Sequence, residues 1–216
     1  MKIIWNIVSI ISHPLLIVTY GMILLMLANP YLFGSASLSG KLPFLAIVFF
    51  STFIIPALAV AMMKVLNMVQ SFQLETRRER VGPLFATCVL YAAFYFNVAR
   101  SDTMPEEFAS FLFGAMVSLF MCLFINSFYK ISLHAVGIFG LVMGLFIFYF
   151  TGAANSMSIA VGDQTISISF VLIPLFALLL AGVVSAARMH LKAHSLDEIL
   201  AGWLVGVAGQ VLAVLW

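Results

Sequence analysis

His134-Ala-Val-Gly-Ile-Phe-Gly-Leu-Val-Met-Gly-Leu-Phe-Ile-Phe-Tyr-Phe-Thr-Gly152 contains no Asp, Glu, Lys or Arg. A helix rising about 1.5 Å per residue crosses the hydrocarbon layer of a bilayer with about 20 mostly apolar residues. Further runs of this kind lie at roughly 3 to 28, 43 to 66, 82 to 99, 106 to 128, 167 to 188 and 199 to 216. The third and the last are among the shortest, so the count is six or seven. In lipid the backbone must satisfy its own polar groups, and these runs are too long, uniform and poor in turn residues for barrel strands. The sequence predicts an all-α fold, a polytopic membrane helical bundle forming a single transmembrane domain over residues 1–216.

Composition points the same way. Hydrophobic residues make up 64 % of the chain and charged residues 8 %, whereas a soluble domain carries about a quarter charged. The net charge of +2 is small and the basic residues stand in separate groups without a Gly-rich phosphate loop, which excludes a nucleic-acid partner. Cys88 and Cys122 fall inside apolar stretches without zinc-type spacing and read as small core hydrophobes. Lys2 and the apolar run after it resemble a signal peptide, but the run passes residue 25 without a convincing cleavage site and reads as a retained first helix.

The loops differ in kind. Loops one, three and five look like plain connectors. With seven spans, loops two, four and six share one membrane face, and they gather Arg77, Arg78, Arg80, Lys130, Arg188 and Lys192 with His134, His190, His194 and the carboxylates Asp197 and Glu198. An Arg or Lys at mid-bilayer costs about 2.5 to 3.5 kcal/mol on insertion scales, so these clusters belong at an interface or in a water-filled cavity. Topology signals alone explain the cations, but not histidine and serine among them.

Loop six reads Arg188-Met-His190-Leu-Lys-Ala-His194-Ser-Leu-Asp197-Glu198. A straight helix would set Arg188 and His194 about 240° apart, so the chain must turn between them to face one ligand. Ser195 with Glu198 three residues on is a capping box that starts the last helix and leaves His194 in front of an anion-attracting N-terminus. Glu198 then has two readings, a backbone cap or the carboxylate that orients His194. Asp197 reads as a first-turn acid favoured by the helix dipole. In loop four, Lys130-Ile-Ser132-Leu-His134 brings amine, hydroxyl and imidazole to a helix start. In loop two, Arg77 and Arg80 are three apart and could share one phosphoryl group.

Over roughly residues 73–205 these clusters resemble the type-2 phosphatidic acid phosphatase family, which is related to vanadium haloperoxidases. That family carries Lys, six residues, Arg-Pro; then Pro-Ser-Gly-His; then Ser-Arg, five residues, His, three residues, Asp. Here the third motif is Arg188, His194 and Glu198, with Ala187 for the serine and Ile-Leu-Ala-Gly202 following. The second is Ser132-Leu-His134, with Ile131 for proline. The first is the weakest match, with Gln73 at the lysine position and Pro83 two residues late.

The resemblance implies His194 as nucleophile, Glu198 as its orienting carboxylate and His134 as general acid. It implies Arg188, Arg80, Arg77, Lys130 and Ser132 as phosphate-binding groups, with no metal or other cofactor. The implied substrate is a lipid phosphate or polyprenyl pyrophosphate, met among the membrane lipids. The even-numbered loops and N-terminus hold most of the Lys and Arg, against Lys41 and Arg100 elsewhere, which by the positive-inside rule makes their face cytoplasmic. The resemblance implies the opposite, an extracytoplasmic site on a bacterial inner membrane. Two other readings stand beside it. A transporter or proton relay would carry acidic or strongly polar residues deep in the spans, and a zinc hydrolase would use His134, His190 and His194.

Overall fold

A computed structural model of the protein describes residues 2–34, 38–72, 74, 76–161 and 164–215; Gln73, the expected lysine position, lies outside them. Seven helical segments among these are long and apolar enough to cross a membrane. The first is bent: α1 (Lys2–Ile11) and α2 (Ile17–Ala28) meet at a 3-10 turn, Pro14–Leu16. Pro14 has no N–H for the helical ladder, and His13 before it is extended at ψ 131° and caps the turn with its side chain. The second is α3 (Leu38–Phe49) and α4 (Ile55–Val65) joined by a π-helical turn, Phe50–Ile54. The others are α5 (Arg77–Ala99), α6 (Glu106–Asn126), α7 (Leu133–Phe150), α8 (Leu172–His190) and α9 (Leu196–Leu215).

The expected spans all form, with shifted ends. The third begins at Arg77 rather than 82 because a capping box at Thr76 starts it: Thr76 Oγ1 accepts from Glu79 N at 3.3 Å, and Glu79 Oε2 accepts from Thr76 N at 3.3 Å. Loop five is more than a connector. It forms an antiparallel ribbon of β1 (Ser156–Val161) and β2 (Gln164–Ser169), with Ser156 opposite Ser169, and α8 starts only at Leu172. Ser-Met-Ser-Ile and Ile-Ser-Ile-Ser alternate with the strand period of two rather than the helical 3.6.

The core lies around α7, which packs on α9, α8, α2 and α6. Glycines let α9 approach closely: a Cβ on Gly202 would stand 2.8 Å from the Ser132 carbonyl oxygen, and one on Gly206 would strike the Val136 carbonyl oxygen. Gly202 and Gly206 are four apart on one face of α9, the small-residue spacing that lets membrane helices touch backbone to backbone. This contact holds the start of α7 against the start of α9, where His134 and His194 sit.

Candidate active site

Three short connections meet at one end of the bundle, and hydrogen bonds to backbone carbonyls tie them together. Arg80, in the first turn of α5, is buried at 7 % exposure. It donates from Nε to the Leu74 carbonyl at 2.7 Å and from Nη1 to the Ile131 carbonyl at 2.9 Å. Lys130 Nζ donates to the Ala193 carbonyl at 3.0 Å, and Ser132 N donates to the Glu198 carbonyl at 3.2 Å. Loops two, four and six are thus one connected surface.

The turn required between Arg188 and His194 exists, three residues before the expected break at Ser195, at Lys192. Lys192 N donates to the Met189 carbonyl at 2.9 Å and Ala193 N to the Arg188 carbonyl at 3.1 Å. This is a Schellman closure of α8, with Lys192 left-handed at φ 55°. It reverses the chain and drops His194 in front of α9. Ser195 Oγ accepts from Glu198 N at 3.4 Å. The Glu198 carboxylate turns instead to His194, whose Nδ1 lies 2.5 Å from Oε2. Of the two contacts expected for the Glu198 carboxylate, the one to His194 forms, while the Ser195 half of the cap also remains; Asp197 is exposed.

The carboxylate can only accept, so the proton is on Nδ1 and Nε2 of a neutral His194 ring bears the lone pair. Burial, and then the positive charges of Arg80, Arg188 and Lys130 with His134 nearby, push the His194 imidazole down to about 3. Glu198 pulls the other way, but the burial and the cations prevail. At neutral pH the ring is uncharged, with Nε2 bearing a lone pair.

A cavity of about 360 Å³ is lined at its polar end by His13, Arg80, His134, Arg188 and His194. It continues between apolar walls that include Leu84, Phe111 and Leu119, as far as Tyr91 and the amide of Gln210. Arg80 and Tyr91 both border it from α5, and eleven residues of helix give it a reach of roughly 16 Å along that axis. Its polar end has free donor capacity in Arg188 Nε, buried without a hydrogen-bond partner among the described residues; Ser132 Oγ is likewise buried and unpartnered, but Ser132 is not on the cavity wall. An anion with several oxygens suits such donors.

Of the predicted residues, the cavity wall includes His194, His134, Arg188 and Arg80. Glu198 reaches it through His194, and Lys130 stands close enough for its charge to act on that ring. Arg77 is not on the wall: it is exposed on the outer turn of α5 and donates from Nη1 to the Ser127 carbonyl at 3.2 Å. Two residues of the first span take part that sequence reasoning did not assign. Ser9 Oγ accepts from Arg188 Nη1 at 2.5 Å and lies 3.3 Å from His134 Nε2, which also donates to the Ser9 carbonyl at 3.0 Å. His13 stands with its ring centroid 5.9 Å from that of His134. Only the polar positions in an apolar run, and the proline after His13, mark them in the sequence.

The three histidines of the zinc reading do not converge. His190 is exposed and its ring stands edge-on to Trp5, centroids 4.9 Å apart, and no three His, Cys, Asp or Glu among the described residues are grouped to hold a metal. No family model matches the chain, and no match emerges from curated proteins or solved structures.

Proposed function

We propose that the protein is an integral membrane phosphatase that removes phosphate from a lipid phosphate or polyprenyl pyrophosphate through a phosphohistidine. The observation that carries this reading is the oriented, neutral His194, with Glu198 on Nδ1 at 2.5 Å, in one cavity wall with His134, Arg188 and Arg80. The apolar continuation of that cavity suits the chain of a lipid, and its mixed lining suits little else in a bilayer.

His194 Nε2 attacks phosphorus in line. The bond from phosphorus to the lipid oxygen breaks, and that oxygen takes a proton from His134. Glu198 stabilises the positive charge arising on the imidazole. Water, giving its proton to His134, then attacks phosphorus, the phosphorus–nitrogen bond breaks, and its electron pair returns to His194. Arg188, the free donors of Arg80, Lys130 and Ser132 stabilise the charge on the equatorial oxygens, the part a metal plays in other phosphoryl-transfer enzymes. The site faces the extracytoplasmic side, and labelling of Asp197→Cys in intact cells by an impermeant maleimide tests that orientation; protection until lysis would reverse it.

The deciding experiment incubates purified protein with a panel of lipid phosphates in chelator, with and without orthovanadate, which mimics five-coordinate phosphorus. Phosphate release that survives chelator, stops with vanadate and is lost in His194→Ala is the expected result. Full activity in His194→Ala overturns the mechanism.

A further inference from the structure

Ser9 stands where a ligand oxygen is needed. In the reading above, Arg188 binds phosphate and His134 gives the leaving oxygen its proton, yet both spend these groups on one residue of α1. Arg188 Nη1 donates to Ser9 Oγ at 2.5 Å, and His134 Nε2 donates to the Ser9 carbonyl at 3.0 Å. A substrate cannot take those donors while Ser9 holds them.

The rest of α1 is built to leave. Ser9 is its only buried residue, while Ile3, Ile4, Ile7 and Ile10 are each at least half exposed. Its main packing partner is α8, and its helical ladder is broken from that of α2 at His13 and Pro14, across which Tyr20 makes a side-chain tie to the Ile11 carbonyl. A helix with one buried side chain loses little apolar contact when it swings.

The seam between the first span and α8 is also where a hydrocarbon chain fits. An apolar groove of about 470 Å³ runs there, bounded by Val8, Ile11, Leu24, Phe176, Leu180 and Val184. Its two hydroxyl-bearing residues turn to backbone: Ser12 Oγ donates to the Val8 carbonyl at 2.8 Å and Tyr20 to the Ile11 carbonyl at 2.7 Å. Ile17 forms part of both this groove and the wall of the polar cavity, so the bend of the first span lies between them.

We propose that α1 is a lateral gate: the lipid approaches from the bilayer through the groove between α1 and α8, and its phosphate oxygens displace Ser9 from Arg188 and His134. The proposal rests on the lipid-phosphatase reading. Closed, Ser9 keeps water and soluble anions off both groups; open, α1 swings about His13 and Pro14.

Trp5→Cys with His190→Cys, the two rings that touch across the seam, tests it. Bridging the pair by oxidation is expected to lower turnover of a lipid phosphate by about tenfold or more, as for an enzyme whose lid is held shut, with recovery on reduction. Turnover unchanged by bridging overturns the gate. In a second arm, spin labels at the same positions are compared with Ser9 intact and with Ser9→Ala. An added population at longer separation in Ser9→Ala is expected, and an identical distribution overturns the proposal. Should the unbridged protein release no phosphate from any lipid phosphate, the phosphatase reading fails separately, and the label distances still decide whether α1 moves.

Discussion

Glu198 reaches back one helical turn to hold His194 Nδ1 at 2.5 Å, and in doing so it leaves the capping box that its own spacing from Ser195 suggests. A side chain that gives up a backbone partner for an imidazole is spending its charge on the tautomer of that ring. In Glu198→Gln, phosphate release from a lipid phosphate is expected to fall about a hundredfold or more, within the range for disabling acid-base chemistry. Asp197→Ala, at an exposed position on the first turn, is expected to stay within about twofold. Small, equal losses in both would remove Glu198 from the mechanism.

His194 makes stability depend on pH. Free in the unfolded chain it takes up a proton near 6.5, whereas in the fold burial, and then the positive groups around it, push it down to about 3. Between those values the unfolded chain binds the proton and the folded one does not. The contribution of this ring is therefore complete above about 6.5, shrinks as pH falls, and is gone below about 3. The thermal midpoint in detergent should drop more for the wild type than for His194→Gln between pH 7.5 and pH 4.5; parallel drops would show that the ring is not shielded.

Arg80 and Arg188 border the same cavity but are bound differently. Arg80 donates from Nε and Nη1 to the carbonyls of Leu74 and Ile131, so it ties loop two to loop four as well as lining the cavity. Arg188 keeps a buried Nε unpartnered. Arg80→Lys cannot make both ties, and hydrogen bonds from charged donors are worth about 1.5 to 3 kcal/mol each. Its thermal midpoint should fall by several degrees along with activity. Arg188→Lys should lower kcat/KM for a lipid phosphate by about a hundredfold with a smaller fall in midpoint. The reverse ranking in a melting and kinetic comparison would exchange the two roles.

The spans and much of the site were legible in the chain because both are written in local pattern. Apolar length gives the helices, and Arg188, His194 and Glu198 stand at spacings that loop and helix geometry can turn into one cluster. α5 starts ahead of its apolar stretch because Arg77, Arg78, Glu79 and Arg80 hide its first turn from hydropathy, though Thr76 and Glu79 carry the capping signal. The reversal at Lys192 was not legible, since a left-handed lysine has no mark that glycine would provide. Ser9 is the residue of the cluster least marked in the sequence. One hydroxyl in an apolar helix says nothing about a histidine 125 positions away, because that pairing is set by how α1 lies on α8.

The approach of α7 to α9 gives the last test. Gly206 faces the backbone of α7 so closely that an added Cβ meets the Val136 carbonyl oxygen and comes within 2.8 Å of Gly140 N. Backbone cannot rotate aside as a side chain can, so Gly206→Ala must push the helices apart, and their facing ends carry His134 and His194. The expected result is a loss of about tenfold or more in turnover together with a lower thermal midpoint, since overpacking a tight contact costs about 1 to 3 kcal/mol. Gly182→Ala in α8, where an added Cβ meets nothing within 4 Å, should leave both measurements near wild type, because alanine favours the helix and displaces no neighbour. If Gly206→Ala matched Gly182→Ala, the two histidines would not depend on this contact for their alignment, and the cavity would be held by the loop hydrogen bonds of Arg80, Lys130 and Ser132.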